Sequence, residues 1–155
     1  MKSFKQHITE VKTAPMWEFL YRKHKGVFYR GEGKGGKGTS LGALGAGIYL
    51  TWDKGMADFF ASRLGSGGTV KKYKVKSGLK IADVVGKDVI AARAEMGFGP
   101  SEYGGDAMYA NLMTRNLKKL GYHGVVSDEV AEGIVIFDKK NVKEIKWGHK
   151  KNLKI

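Results

Sequence analysis

Near the C-terminus of this 155-residue chain stands the segment Ala131-Glu132-Gly133-Ile134-Val135-Ile136-Phe137-Asp138. Its apolar, β-branched run predicts a buried strand, with Glu132 at the head of that strand. A carboxylate in this position is held rigidly and can present one charge to a reacting centre. Many strands begin with a solvated glutamate, so the interpretation of Glu132 as catalytic depends on other segments of the chain.

Two earlier segments supply that context. Phe28-Tyr29-Arg30-Gly31 is predicted to lie in a short strand, and Gly45-Ala46-Gly47-Ile48-Tyr49-Leu50-Thr51 contains a second one. Asp53 follows the second strand directly and is predicted to cap a helix. Each segment contains side chains suited to binding a ligand, although Tyr49 alone is more often a core aromatic and Arg30 alone a surface ion-pair partner.

Hydrophobic periodicity, capping residues and glycine positions predict a mixed order of helices and strands. The predicted helices cover 13–24, with Thr13 as N-cap, and 54–64, 87–96 and 106–120. The predicted strands cover 27–30, 48–51, 69–76, 79–84, 124–127, 133–138 and 142–147. Residues 31–45 are predicted to form a Gly/Lys loop, and the chain shows no internal repeat or linker. One domain of class α/β (α+β) is therefore expected over 1–155, with a helical lead-in at 1–25 and the core at 26–148.

Composition limits the classes of function. The chain has a net charge of +13, with 28 Lys and Arg against 15 Asp and Glu, which favours a nucleotide, a nucleic acid or an acidic surface as partner. The lysines are scattered, without an Arg-rich stripe interleaved with aromatics, so charge alone does not select nucleic acid. There is no Cys, no apolar segment long enough to span a membrane, and no N-terminal apolar stretch typical of a signal peptide. We therefore expect a cytoplasmic protein that does not associate with membranes.

The glycine-rich segment at 31–39 partly matches two phosphate-binding motifs. It nearly matches a P-loop, but Gly38 stands where Ser or Thr must ligate magnesium. It also contains G-x-G-x-x-G, but the strand at Ile48 follows too soon for a dinucleotide-binding βαβ unit. We reject both interpretations and expect a cationic lid beside an anionic ligand. The four His have no metal-ligand spacing, so no metal is expected.

Taken together, the three segments resemble the ADP-ribosyltransferase family, nearer its diphtheria-toxin and poly(ADP-ribose) polymerase branch. Tyr29-Arg30-Gly31 matches the first motif of that branch, with Arg30 at the position of a His. Tyr49 and Phe60 are eleven positions apart, like the two rings that sandwich nicotinamide in the branch. Glu132 opens the third motif, so the triad is an Arg-Tyr-Glu hybrid. The resemblance covers about residues 27–147, least securely at 86–122.

Some positions depart from the family pattern. Ala57 stands where the polymerase branch tends to have a Ser that binds the nicotinamide amide, and Thr51 or Ser62 are the candidates to replace it. Val130 stands two residues before Glu132, where related toxins have Glu or Gln. The target residue therefore stays open.

The resemblance implies a split β-sandwich of two packed, mostly antiparallel sheets, and transfer of one ADP-ribose unit from NAD to a macromolecule. Glu132 would be the catalytic carboxylate. The NAD-binding residues would be Arg30, Gly31, Tyr49, Thr51 and Phe60. The loop before Glu132, with Ser127, Asp128 and Glu129, would contact the acceptor. A protein acceptor is slightly favoured over DNA or RNA. The alternative is a basic nucleic-acid-binding module on the same fold without catalysis.

Overall fold

The computed structural model of this protein describes residues 12–33, 40–63, 68–99, 107–130 and 132–146. In these ranges there are four helices, one 3₁₀ turn and nine strands. In chain order they are α1 (Pro15–His24), β1 (Val27–Glu32), β2 (Leu41–Gly42), β3 (Gly45–Ala46), β4 (Ile48–Leu50), α2 (Lys54–Arg63), β5 (Thr69–Val75), β6 (Ile81–Asp83), α3 (Lys87–Glu95), α4 (Ala107–Lys119), β7 (Gly124–Val126), β8 (Ile134–Ile136), the 3₁₀ turn (Lys139–Asn141) and β9 (Val142–Ile145).

The strands form two larger sheets and one hairpin. The three-stranded sheet has the order β1-β5-β9, and the four-stranded sheet has the order β4-β8-β7-β6. All pairings are antiparallel except that of β6 with β7. The predicted mixed α/β (α+β) class with mostly antiparallel sheets is confirmed.

Two apolar clusters pack on opposite faces of the four-stranded sheet. The first joins this sheet to the three-stranded sheet and α1, with Leu50, Ile134 and Ile136 facing Phe28 and Val75. The second packs Tyr49 and Val135 against α3 and α4. Alternate residues of β4 and β8 therefore point into different cores, as the period of a strand requires. Both faces of β8 are buried, which explains its uninterrupted apolar sequence.

Local signals for the helix ends are partly confirmed. The Asp53 carboxylate accepts a hydrogen bond of 2.9 Å from the Gly55 N–H, so Asp53 caps α2 as predicted. The predicted cap at Thr13 is wrong, because Ala14 occupies the N-cap position without a side-chain hydrogen bond. The Thr13 hydroxyl instead accepts a hydrogen bond of 2.8 Å from the Ile81 N–H and so ties the start of α1 to β6.

The predicted loop at 31–45 is also corrected. Strand β1 continues to Glu32, because its pairing with β5 runs from Val27 to Glu32. Residues 41–46 form the β2–β3 hairpin, with Leu41 opposite Ala46. The predicted cationic lid falls largely on residues 34–39, which lie outside the described residues, as do 1–11 of the predicted lead-in.

Candidate active site

The three motif segments meet where the two larger sheets join. Tyr29 and Thr51 exchange backbone hydrogen bonds of 2.9 and 2.8 Å, which link β1 to the end of β4. On the other side of β4, Leu50 pairs with Ile134 of β8. Just beyond this pair, the Trp52 ring lies against Gly133, the residue after Glu132. Segments that are far apart in the chain thus become neighbours at one point of the fold.

Glu132 lies in the bend that precedes β8 and is 5% exposed. The loop between β7 and β8 closes with a hydrogen bond of 2.7 Å from the Ser127 N–H to the Gly133 carbonyl. A Cβ at Gly133 would lie 2.2 Å from the Ser127 carbonyl oxygen and 2.8 Å from the Trp52 ring. Only glycine fits there, so this close packing fixes the backbone that carries Glu132.

The Glu132 carboxylate affects the pKa of Tyr49, a residue of the second core cluster. Burial raises the pKa of the Tyr49 hydroxyl far above its usual range, against the opposing effect of a hydrogen bond from the Leu44 N–H. The nearby Tyr109 and Glu132 raise the pKa further. The Glu132 carboxylate is therefore within electrostatic reach of Tyr49, the aromatic residue of the second motif.

Arg30 is buried and its guanidinium is engaged by the protein. Its Nε donates to Glu32 Oε2 at 2.7 Å, and its Nη1 donates to the Tyr49 carbonyl at 3.1 Å. Lys71 Nζ lies 3.0 Å from the other carboxylate oxygen of Glu32. Arg30 thus fastens β1 to β4, and a contact with NAD would come in addition to this structural role.

The two predicted stacking rings differ in their surroundings. The Tyr49 side chain is 2% exposed, and its hydroxyl donates to the Gly45 carbonyl at 2.6 Å while accepting from the Leu44 N–H at 3.0 Å. As folded, this ring has no open face for nicotinamide, so stacking on Tyr49 requires the β2–β3 hairpin to move. Phe60 is only half-buried and contacts Phe59 edge-on, with ring centroids 5.7 Å apart.

Gly31 and Thr51 also have structural roles. A Cβ at Gly31 would lie 2.2 Å from the Ala57 carbonyl oxygen and 3.0 Å from Phe60 Cβ, so the glycine lets α2 approach β1. The contact places the first motif beside the helix that carries Phe60. The buried Thr51 hydroxyl accepts a hydrogen bond of 3.1 Å from the Asp53 N–H, at the start of the same helix.

The predicted acceptor loop divides into a buried anchor and an exposed tip. Ser127 is 1% exposed, and its hydroxyl accepts a hydrogen bond of 2.9 Å from the Glu129 N–H. The side chains of Asp128 and Glu129 are exposed. The loop tip therefore presents carboxylates close to Glu132, while Ser127 shapes the turn.

A cleft of about 910 Å³ opens at the C-terminal end of β1. Its lining residues come from both larger sheets and the β2 region, and they are Arg30, Glu32, Ser40, Leu41, Gly47, Ile48, Tyr73, Phe137, Lys139 and Val142. The volume is in the range typical of small-molecule sites. Glu132 is not among the lining residues. A dinucleotide in this cleft must therefore extend across the β1–β4 junction to bring a ribose to Glu132.

Sequence reasoning did not predict Glu32, Tyr73 or Lys139 as site residues. Glu32 follows Phe28 and Arg30 at alternate positions, which places the three side chains on one face of β1. This alternation could have identified Glu32 as a residue of the same face. Instead, Glu32 was assigned to the predicted glycine-rich loop at 31–45. Tyr73 and Lys139 reach the cleft through strand pairing and a turn, which no local pattern predicts.

No protein family model, curated protein or solved structure matches this chain. Within the described residues, no cluster of three or more His, Cys, Asp or Glu side chains could hold a metal ion. No helix in the described part of the chain is both long and apolar enough to cross a bilayer.

Proposed function

We propose that this protein is an NAD-dependent mono-ADP-ribosyltransferase with an ADP-ribosyltransferase-like split β-sandwich. The observation that carries the proposal is the junction of β1, β4 and β8. Backbone pairing there joins Tyr29 to Thr51, and Leu50 to Ile134, which lies two residues after Glu132. The resemblance rested on the order of these segments in the sequence, and their adjacency in the fold supports it independently.

The chemistry assigned to Glu132 follows from the bond that breaks. Cleavage of the bond between the nicotinamide nitrogen and ribose C1′ leaves its electron pair on nicotinamide, which departs as a neutral molecule. The ribose then carries positive charge, as in glycoside hydrolysis. A buried carboxylate stabilises this charge better than a solvated one, because it requires little reorganisation. The acceptor nucleophile forms the new bond to C1′ and releases a proton.

The other predicted residues acquire more specific roles in this proposal. Phe60 is the half-buried ring beside Gly31, and it is the better candidate for contact with nicotinamide. Arg30 and Lys139 border the cleft, where their positive charges suit the diphosphate of NAD. The acceptor meets the exposed tip at Asp128 and Glu129. Because the chain lacks Cys, we propose the reducing cytoplasm as its compartment.

The proposal is tested by offering labelled NAD to the purified protein and measuring nicotinamide release and label on an acceptor. Glu132→Gln keeps the size of the side chain and removes its charge, so transfer should fall by at least about 100-fold. The matched control is Glu95→Gln, the same change on the exposed face of α3, which should transfer at the parental rate. Parental turnover in Glu132→Gln, with an unchanged melting temperature, would contradict the assignment.

A further inference from the structure

Three grooves surround the turn at 76–79, which joins β5 to β6. The first, of about 580 Å³, lies against α1 and includes Gly78 and Leu79 in its lining. The second, of about 400 Å³, shares Tyr21 and Lys74 with the first. The third, of about 470 Å³, shares Gly78 and Leu79 with the first groove. We call these three the basic grooves.

The charge of the basic grooves is strongly positive. The first groove is bordered by Arg22, Lys25, Lys74 and Lys80, and the only acid among its lining residues is Glu18. The other two grooves add Lys76, Lys118, Lys140 and Lys143, all exposed, and one acid, Asp138, which pairs with Lys118 at 3.1 Å. This surface was not evident from the sequence, because its lysines come from four separated stretches of the chain, at 25, 74–80, 118 and 140–143.

One buried polar side chain lies in the walls of two of the grooves. Asn141 lines both the second and the third groove and is 4% exposed. Its Nδ2 donates to no acceptor among the residues that the structure describes. A buried amide donor is seldom left without an acceptor, which makes this side chain an unusual feature of the groove wall.

We propose that the basic grooves bind single-stranded nucleic acid through its phosphodiester backbone. Clustered, exposed lysines in neighbouring concave grooves suit a flexible polyanion that bends around the turn at 76–79. A stiff, convex duplex fits such grooves poorly. The exposed large hydrophobic residues of the described chain (Phe19, Leu41, Phe59, Val85 and Met108) lie outside these linings, so none of them can insert into a membrane from this surface.

This surface lies away from Glu132, although its second groove shares Val142 with the 910 Å³ cleft. Gly124 pairs with Ile136, and Val126 pairs with Ile134, so His123 and Asp138 lie at one end of the β7–β8 hairpin and Ser127 and Glu132 at the other. Glu132 and Asp138 are six positions apart with β8 between them, a distance of at most about 20 Å. The bound strand would therefore localise the protein without occupying the site at Glu132, and this inference does not rest on the proposed transferase activity.

The test measures binding of a fluorescent 12-nucleotide single strand to the full chain by anisotropy. The groove variant replaces Lys76, Lys80, Lys140 and Lys143 with Gln. The control variant makes the same change at Lys23, Lys54, Lys87 and Lys119, which are exposed and lie outside the grooves. Both variants lower the net charge equally, so a difference between them reports the surface and not the total charge.

Four phosphate contacts predict that parental affinity falls about 50-fold between roughly 50 and 200 mM salt. The groove variant should lose most of this salt dependence and bind at least about 20-fold more weakly at the lower salt, while the control variant stays within about threefold of the parent. Glu132→Gln should bind like the parent, which separates this result from any failure of the transferase proposal. Equal weakening of the two lysine variants, or tighter binding of a duplex, an acidic peptide or phosphatidylserine vesicles than of the single strand, would overturn the proposal.

Discussion

Arg30 and Glu32 form a buried ion pair, with Arg30 Nε 2.7 Å from Glu32 Oε2, at the border between the two larger sheets and the cleft. Both residues are less than a tenth exposed, and Arg30 also donates to the Tyr49 carbonyl of the neighbouring sheet. The pair thus links the two sheets and lines the candidate ligand site. A substitution at either residue will act on stability as well as on binding, and the two effects have to be measured separately.

Glu32→Gln should destabilise the fold by about 3 kcal/mol, because it leaves the Arg30 charge buried without its partner carboxylate. Urea denaturation gives the free energy of unfolding. The control is Asp58→Asn, which breaks the exposed Lys54–Asp58 pair at 3.3 Å and should cost at most about 0.5 kcal/mol. Similar costs for the two variants would contradict a structural role for the buried pair.

Arg30→Lys should also be destabilising, by about 1–3 kcal/mol, because an ammonium cannot match the planar donors that reach both Glu32 and Tyr49. If Arg30 also contacts NAD, the Michaelis constant for NAD should rise at temperatures where parent and variant are fully folded. An unchanged Michaelis constant together with a lower melting temperature would restrict Arg30 to its structural role.

Substitutions at the two aromatic residues should affect different properties, mainly stability for Tyr49 and mainly NAD affinity for Phe60. Tyr49→Phe keeps the ring but leaves the Gly45 carbonyl and the Leu44 N–H without their buried partner, so stability should fall by about 1–3 kcal/mol while NAD affinity is retained. Phe60→Ala removes a half-buried ring and should weaken NAD binding by about fivefold, with a smaller loss of stability. Calorimetric titration with NAD and thermal unfolding separate the two. A larger affinity loss in Tyr49→Phe than in Phe60→Ala would contradict this assignment.

Gly133→Ala should impair both folding and transfer. The added methyl group would meet the Ser127 carbonyl, a backbone atom that cannot rotate away, so we expect a cost of about 2–3 kcal/mol. The shift also displaces Glu132, so turnover should fall more than the folded fraction does. Gly55→Ala is the control, since its Cβ would meet only the Asp53 side chain and alanine favours the helix. Parental stability in Gly133→Ala would show that the β7–β8 loop adapts freely.

Elements with strong local signals were predictable from the sequence, and those that depend on distant pairing were not. Asp53 followed by helical periodicity correctly predicted the start of α2, and the β-branched run after Glu132 correctly predicted β8. The β2–β3 hairpin was missed, because three of its four strand residues are Gly or Ala and carry no alternating pattern. Thr13 illustrates the limit of capping rules, since its hydroxyl found a partner 68 residues away.

The same distinction applies to the candidate site. The family resemblance implied that the three segments form one site, and the strand pairs Tyr29–Thr51 and Leu50–Ile134 are consistent with that expectation. It did not predict that Arg30 would bond to Glu32 or that the Tyr49 hydroxyl would bond to Gly45. These contacts span only two and four positions, within β1 and between β4 and β3, but residue type alone could not separate a ligand-binding role from a structural one.

The loop tip beside Glu132 bears on which acceptor the protein modifies. Asp128 and Glu129 are exposed at the loop tip next to Glu132, whereas the basic grooves lie at the opposite end of the β7–β8 hairpin. Carboxylates beside the reacting centre repel phosphates, so a protein acceptor is favoured there even if a nucleic acid is held at the grooves. Labelled NAD should therefore mark protein when protein, DNA and RNA are offered separately, with little change between roughly 50 and 200 mM salt, since such an acceptor releases few counterions. Neutralising the tip with Asp128→Asn and Glu129→Gln should increase labelling of nucleic acid relative to protein. Label mainly on DNA or RNA in the parent, falling steeply with salt, would reverse the preference and indicate that the polyanion reaches Glu132.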